Sequence, residues 1–255
     1  MRPAALLAFA VALGAGTAAR AQTLLDQEQR LIEVHALLLS LAPLAPPGAW
    51  AALEAEAGLE LITVPTIDGT TGGKRQLTAS DRTPVFPRPR LVLGLPAPEG
   101  FRAFVGASYL PPVALGGVSS HLGALEAGLA WAPAPGPLAV GLRAHLVRAR
   151  SRSPVTDPNT RDTLDSLEYG ADLSIGCRID TGLGAFTPYA SAGLLRVAGD
   201  FHVESDGYLL TSRSSELALA GGLRFASARH FTAAAGLIAF PGRLVHPAFL
   251  LAWGW

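Results

Sequence analysis

Cysteine is nearly missing from this chain: Cys177 is the only one in 255 residues. One thiol cannot close an internal disulfide, so it reads as a small apolar residue, buried or lipid-facing. A net charge is missing too, with twenty basic and twenty acidic side chains in balance. That removes the basic field a nucleic-acid partner would require. Hydrophobic residues make up 49% of the chain. Yet beyond the N-terminus there is no stretch of roughly 20 consecutive apolar residues, which excludes helical membrane spans. Glycine and proline are abundant, 28 and 20 residues, as many short strands with turns require.

At the N-terminus Arg2 precedes an apolar run from Leu6 to Leu13, then Ala19-Arg20-Ala21 before Gln22. A charged start, a short apolar run and an A-x-A site predict a secretory signal peptide over 1–21. No cysteine sits at the cleavage point, where Gln22 stands, so a lipid anchor is not expected. Residues 22–52 read as a periplasmic helix and a Pro-rich linker. Thr23 can cap the helix, Asp26 and Glu28 fall in its first turn, and Leu24, Leu31, Val34, Leu38 and Leu41 share a face. Pro43, Pro46 and Pro47 end it. The expected place for this helix is the barrel mouth, with a plug inside the lumen as the alternative.

From about residue 53 to 255 apolar residues recur with period two, in ten segments. The cleanest covers 166–179, where Leu167, Tyr169, Ala171, Leu173, Ile175 and Cys177 alternate with Glu168, Gly170, Asp172, Ser174, Gly176 and Arg178. Such alternation predicts an all-β antiparallel transmembrane barrel of about ten strands, with eight or twelve as alternatives. Connections alternate long and short: 65–87, 111–120, 149–165 and 199–210 are expected outside, with tight turns between them in the periplasm. Aromatics fall into two expected girdles. Trp50, Phe101, Trp131, Phe186, Tyr189, Phe225, Phe231, Trp253 and Trp255 stand near the periplasmic rim, and Phe86, Tyr109, Tyr169, Phe201, Tyr208 and Phe240 near the outer one.

The last strand sets Phe249, Leu251, Trp253 and Trp255 against Leu250, Ala252 and Gly254. It resembles the C-terminal strand of bacterial outer-membrane β-barrels, which commonly end on an aromatic residue read by the assembly machinery. The segments Leu91–Pro96 and Phe186–Gly193 look like hairpin strands of the same superfamily. The resemblance implies an outer-membrane location, with outer-membrane lipid and the barrel assembly machinery as partners. It implies no cofactor.

Inward positions carry both signs: Glu60, Arg90, Arg102, Glu126, Arg143, Glu168, Asp172, Arg178, Glu216 and Arg224, with Glu54 and Glu56 on the first segment. In a narrow barrel these are expected to pair and largely close the interior; a thin, weakly selective pore is the alternative. His145 could meet Glu168 or Asp172 in a His–carboxylate pair able to activate water. Some barrels of this superfamily are proteases or lipid-modifying enzymes, so a rim hydrolase is a second reading. A structural neighbourhood for His145 is the expected one, and no catalytic residue is assigned. Ser119, Ser120 and His121 are adjacent without forming a triad. Asp157, Asn159, Asp162 and Asp165 match no EF-hand spacing, so no metal is expected. The function expected is structural, or a narrow conduit for small or apolar solutes. A surface adhesin working through loops 65–87 and 149–165 is a further alternative.

Overall fold

Alternating apolar and small or polar residues leave a strand two unlike faces, and closing the sheet on itself gives each face its own solvent. The computed structural model describes residues 32–34, 36–62, 86–115, 118–133, 136–153, 161–204 and 207–255. Its strands are β1 (Ala55–Ile62), β2 (Phe86–Leu95), β3 (Phe101–Leu115), β4 (Val118–Trp131), β5 (Leu138–Ser153), β6 (Asp162–Cys177), β7 (Ile179–Thr181), β8 (Gly184–Val203), β9 (Tyr208–Ser227), β10 (Phe231–Phe240) and β11 (Leu244–Gly254). Every neighbouring pair is antiparallel. β1 pairs with both β2 and β11, and β6 and β7 both pair with β8. β6 and β7 are therefore two parts of one barrel strand, and the result is a closed ten-stranded barrel. No sheet edge is left open.

Facing follows the alternation read from the sequence. Leu91, Leu125, Leu142, Leu173, Ile175, Leu194 and Leu251 point outward and are exposed, whereas Glu60, Arg90, Glu126, Arg143 and Asp172 point inward and are buried. Leu173 is 58% exposed and its neighbour Ser174 is 9% exposed, the signature of a register set by period two.

The wall is uneven in height. β8 and β9 are 20 residues each, while β1 has 8 and β2 and β10 have 10. A tilted strand needs only about 9–11 residues to cross the hydrocarbon core, so β8 and β9 stand well above it. Three expected loops are changed accordingly. Residues 111–115 and 118–120 continue β3 and β4, and Pro111-Pro112 occupies a register shift between Leu110 and Val113. The segment 199–210 is mostly strand, and 149–165 contributes the ends of β5 and β6. The expected loop 65–87 falls almost wholly outside the described residues.

Four of the aromatics expected in girdles are elsewhere. Trp50, Tyr189, Phe201 and Phe240 are buried in the lumen, because each has inward parity or belongs to the segment that fills the bore. Phe101, Trp131, Phe186, Phe231, Trp253 and Trp255 do face outward at the end where the termini of the barrel lie, and Tyr109 and Tyr169 face outward toward the other.

Candidate functional site in the barrel lumen

The N-terminal segment does not pack at the mouth; its described part lies inside the barrel. Helical residues 32–34 and 36–39 lead into an extended stretch to Trp50. Thr23, Asp26 and Glu28 of the expected helix lie outside the described residues. Ile32 packs with Leu164, Phe201, Val203 and Leu210 at the end of the barrel remote from the termini. Ala36, Leu37, Ala42 and Leu44 pack on inward residues of β8, β10 and β11. Trp50 sits at the other end, 4.6 Å from the Phe104 ring, with the Arg224 guanidinium 5.3 Å from its centroid. The segment thus threads the lumen from end to end.

The wall is shaped to receive it. A methyl group on Gly141 would lie 2.7 Å from the Pro47 side chain, one on Gly176 3.0 Å from Pro46, and one on Gly199 2.6 Å from Ile32. Glycine there is a matter of space. On Gly94 a Cβ would meet the Ala51 carbonyl oxygen at 1.8 Å. That close approach is used: Leu53 N–H donates to Gly94 O at 2.9 Å, and Gly94 N–H donates to Glu54 O at 2.8 Å. Leu53 turns the chain into β1 at φ 65°, a left-handed conformation costing roughly 1–2 kcal/mol for a residue with a Cβ.

Two arginines hold the segment by its backbone. A helix leaves its last carbonyls without partners, and its C-terminal end carries partial negative charge. Arg88 donates from Nη1 to Leu39 O at 2.8 Å and from Nη2 to Ser40 O at 3.1 Å. Arg143 donates from Nη2 to Leu41 O at 3.0 Å and from Nη1 to Ala42 O at 3.2 Å. Four successive carbonyls are bound by the wall.

Each arginine is also neutralised. Arg88 makes a two-pronged contact with Glu60, at 3.1 and 2.6 Å. Arg143 binds Asp172 at 2.9 Å and Glu126 at 3.2 Å, and Glu126 in turn accepts two bonds from Arg90. Nearer the end where the barrel's termini lie, Arg224 pairs with Glu56. At the opposite end Arg243 binds Glu33 of the lumen segment at 2.7 Å and reaches Glu216 at 3.5 Å. The pairs made by Arg88, Arg90, Arg143 and Arg224 are desolvated, and there removing one partner costs far more than the pair contributes.

Three residues expected in the network lie outside it: Arg178, Arg102 and Glu168. Arg178 is 62% exposed and pairs with Asp180. The β6 ladder stops at Cys177, and Arg178 N–H donates to Pro137 O instead, so counting in twos carries no further. Arg102 has inward parity but is exposed at the rim, with no ion pair among the described residues. Glu168 is fully buried, and neither carboxylate oxygen has a hydrogen-bond partner among the described residues.

His145 Nδ1 lies 3.7 Å from Asp172 Oδ2, beyond hydrogen-bond distance, and Asp172 is already held by Arg143. Ser120 is bonded to Ser151 inside the lumen, whereas Ser119 and His121 take the opposite parity. No nucleophile and base are brought together among these groups. Asp162 is buried and accepts from Glu204 N–H, while Asp165 is half-exposed on the other face and holds Arg150. They do not converge on an ion; Asp157 and Asn159 lie outside the described residues. Beside Arg143, His145 and Asp172 a cavity leaves about 20 Å³ for the centre of a water molecule, room for about one water.

Sequence reasoning missed Arg88, Arg243 and His246. Arg88 stands at the very start of its period-two segment, between Pro87 and Pro89, where alternation gives no facing. Arg243 sits in a turn. His246 is buried with its ring stacked on Phe240 at 6.3 Å, on a strand whose beginning carries little alternation.

The wall pairs every strand with two neighbours and turns a continuous apolar face outward. Only a helix or a closed barrel satisfies its backbone within lipid, and exposed apolar area on this scale requires lipid against it. The chain is a transmembrane β-barrel. No family profile matches it, and no curated protein is significantly similar in sequence. Among solved structures it is similar to the β-domain of the Bordetella autotransporter BrkA, at 13% identity over 80% of this chain and 98% of that one, TM-score 0.38. It is also similar to Ail, the attachment invasion locus protein of Yersinia pestis, at 10% identity over 80% and 100%, TM-score 0.34. A third is a mutant of the monoaromatic hydrocarbon channel TodX, at 13% identity over 82% and 70%, TM-score 0.36. The assignment rests on the barrel's own geometry.

Proposed function

We propose that this outer-membrane barrel is a narrow conduit for small solutes, held shut by its own residues 32–50. The observation that carries this is the capture of the carbonyls of residues 39–42 by Arg88 and Arg143. The wall behind the segment carries Glu60, Glu126, Asp172, Ser174, Ser191 and Ser212 inward, beside apolar patches that include Leu195, Val197, Ile238 and Leu250. Its polar part suits water, and the segment covers it. Leaving the bore would return the wall charges to solvent, which lowers the cost of withdrawal relative to emptying an apolar core. Lipid and the assembly machinery are its proposed partners, the latter through Phe249, Leu251, Trp253 and Trp255.

Planar-bilayer conductance of the full chain tests this. Wild type should be nearly silent, and Arg88→Ala with Arg143→Ala should give discrete openings. A double variant that is correctly folded, as judged by a gel shift between unboiled and boiled samples, but equally silent would make the barrel a closed structural body.

A further inference from the structure

The outward face of β5 changes character part-way along. Leu138, Val140, Leu142, Ala144 and Leu146 are followed by Arg148, Arg150 and Arg152. On β8 Leu194 is followed by Arg196, and on β9 Leu217 is preceded by Ser215 and Arg213. In register, Arg148 stands opposite Leu167 of β6, Leu167 opposite Ala198, and Ala198 opposite Arg213. Arg196 stands opposite Ser215, which makes Arg196 and Arg213 diagonal neighbours on adjacent strands. Diagonal residues lie roughly 7–8 Å apart, within joint reach of one small anion.

The cluster is confined to one sector. Outward positions of β10, β11, β1 and β2, and of β3 as far as Tyr109, carry no charge. Acids near the arginines are few and engaged: Asp165 holds Arg150 at 2.6 Å, and Asp200 accepts from Thr211 at 2.8 Å. Arg148, Arg196 and Arg213 are exposed and have no ion pair among the described residues. Arg196 and Arg213, this close, repel each other unless an anion lies between them, and Arg148 stands on the same outward face two strands beyond Arg196. On β5 Arg148 follows the last outward leucine, Leu146, and on β8 Arg196 follows Leu194, whereas on β9 Leu209 lies beyond Arg213.

We propose that Arg148, Arg196 and Arg213 bind the phosphate-bearing headgroup of an outer-leaflet lipid. Arginine meets phosphate with two parallel donors, and a lipid phosphate is fixed at this depth by its own acyl chains, which lie on the leucines below. The inference depends on the transmembrane placement and is independent of the lumen segment.

The test is native mass spectrometry of the full chain in detergent, with phosphorylated lipid A and its dephosphorylated form as probes. Wild type should retain the phosphorylated lipid at least tenfold better than the triple variant Arg148→Gln, Arg196→Gln, Arg213→Gln. Both proteins should hold the dephosphorylated lipid equally weakly. Arg102→Gln with Arg229→Gln, at the opposite end of the barrel, should behave as wild type. Equal retention by wild type and the triple variant would overturn the proposal, as would indifference to the lipid's phosphates. Complete displacement by an equal concentration of inorganic phosphate would also overturn it, since the site would then read phosphate alone. All three arginines are exposed, so the gel shift of the folded barrel should persist in every variant.

Discussion

Arg88 and Glu60 stand directly opposite each other on β2 and β1, joined by two hydrogen bonds, with neither side chain reaching solvent. Glu60→Leu leaves a guanidinium buried without its anion and should cost about 3–5 kcal/mol. Adding Arg88→Met removes the stranded charge, so the double variant should recover part of that loss. The urea midpoint of the folded, unboiled gel band measures it. Equal losses in single and double variants would show that the two residues do not act as a pair.

Leu173 lies on the lipid side of β6 and Thr163 on the same face near its outer end. Leu173→Arg should cost roughly 2–4 kcal/mol, the penalty near mid-membrane, and Thr163→Arg close to nothing. Unboiled wild type should migrate apart from boiled protein, and the fraction so migrating reports folding for each variant. If both variants fold alike, the belt is drawn at the wrong height.

Gly94→Ala would drive a methyl group into the Ala51 carbonyl, a backbone atom tied down by the Leu53 and Glu54 bonds. Overpacking of this kind costs about 1–3 kcal/mol. Gly123→Ala meets nothing within 4 Å and should stay within about 0.5 kcal/mol of wild type. Urea titration of both should separate them clearly; a neutral Gly94→Ala would mean the entry turn is not fixed as described.

His145→Ala should leave protease and lipase readings on whole cells unchanged and as low as those of wild type. Among the described residues its Nδ1 has no hydrogen-bond partner, and Asp172 is engaged by Arg143, so proton transfer has no prepared path there. Wild-type turnover that disappears in His145→Ala with an intact gel shift would establish an enzyme instead.

The faces of the strands were readable because lipid and lumen impose opposite demands on successive residues, as Leu173 and Ser174 show. Strand ends were not. Above the membrane the outward residues become polar, as at Arg148, Arg150 and Arg152, and alternation vanishes although the ladder continues to Ser153. The opposite error occurred at Arg178, where the alternation ran one step past the end of the ladder. Of the candidate site, Arg90, Glu126, Arg143 and Asp172 were legible from parity alone. Their convergence on backbone carbonyls was not, since a carbonyl leaves no trace in the residue names around it. An apolar helix followed by prolines also reads the same whether it packs at the mouth or within the bore.

The segment that fills the lumen joins β1 with only a short turn between, and β1 is one side of the seam that β11 closes, Glu56 to Gly254 and Leu61 to Phe249. This fixes an economical order of events in time. Residues 32–50, which fill the centre, leave the ribosome before any strand of the wall, and β11 leaves after the other strands. A barrel that closes round a segment already in place never has to draw two arginine-bound turns through a finished bore. Shortening residues 32–50 should therefore change how fast the seam closes as well as whether the lumen is empty afterwards.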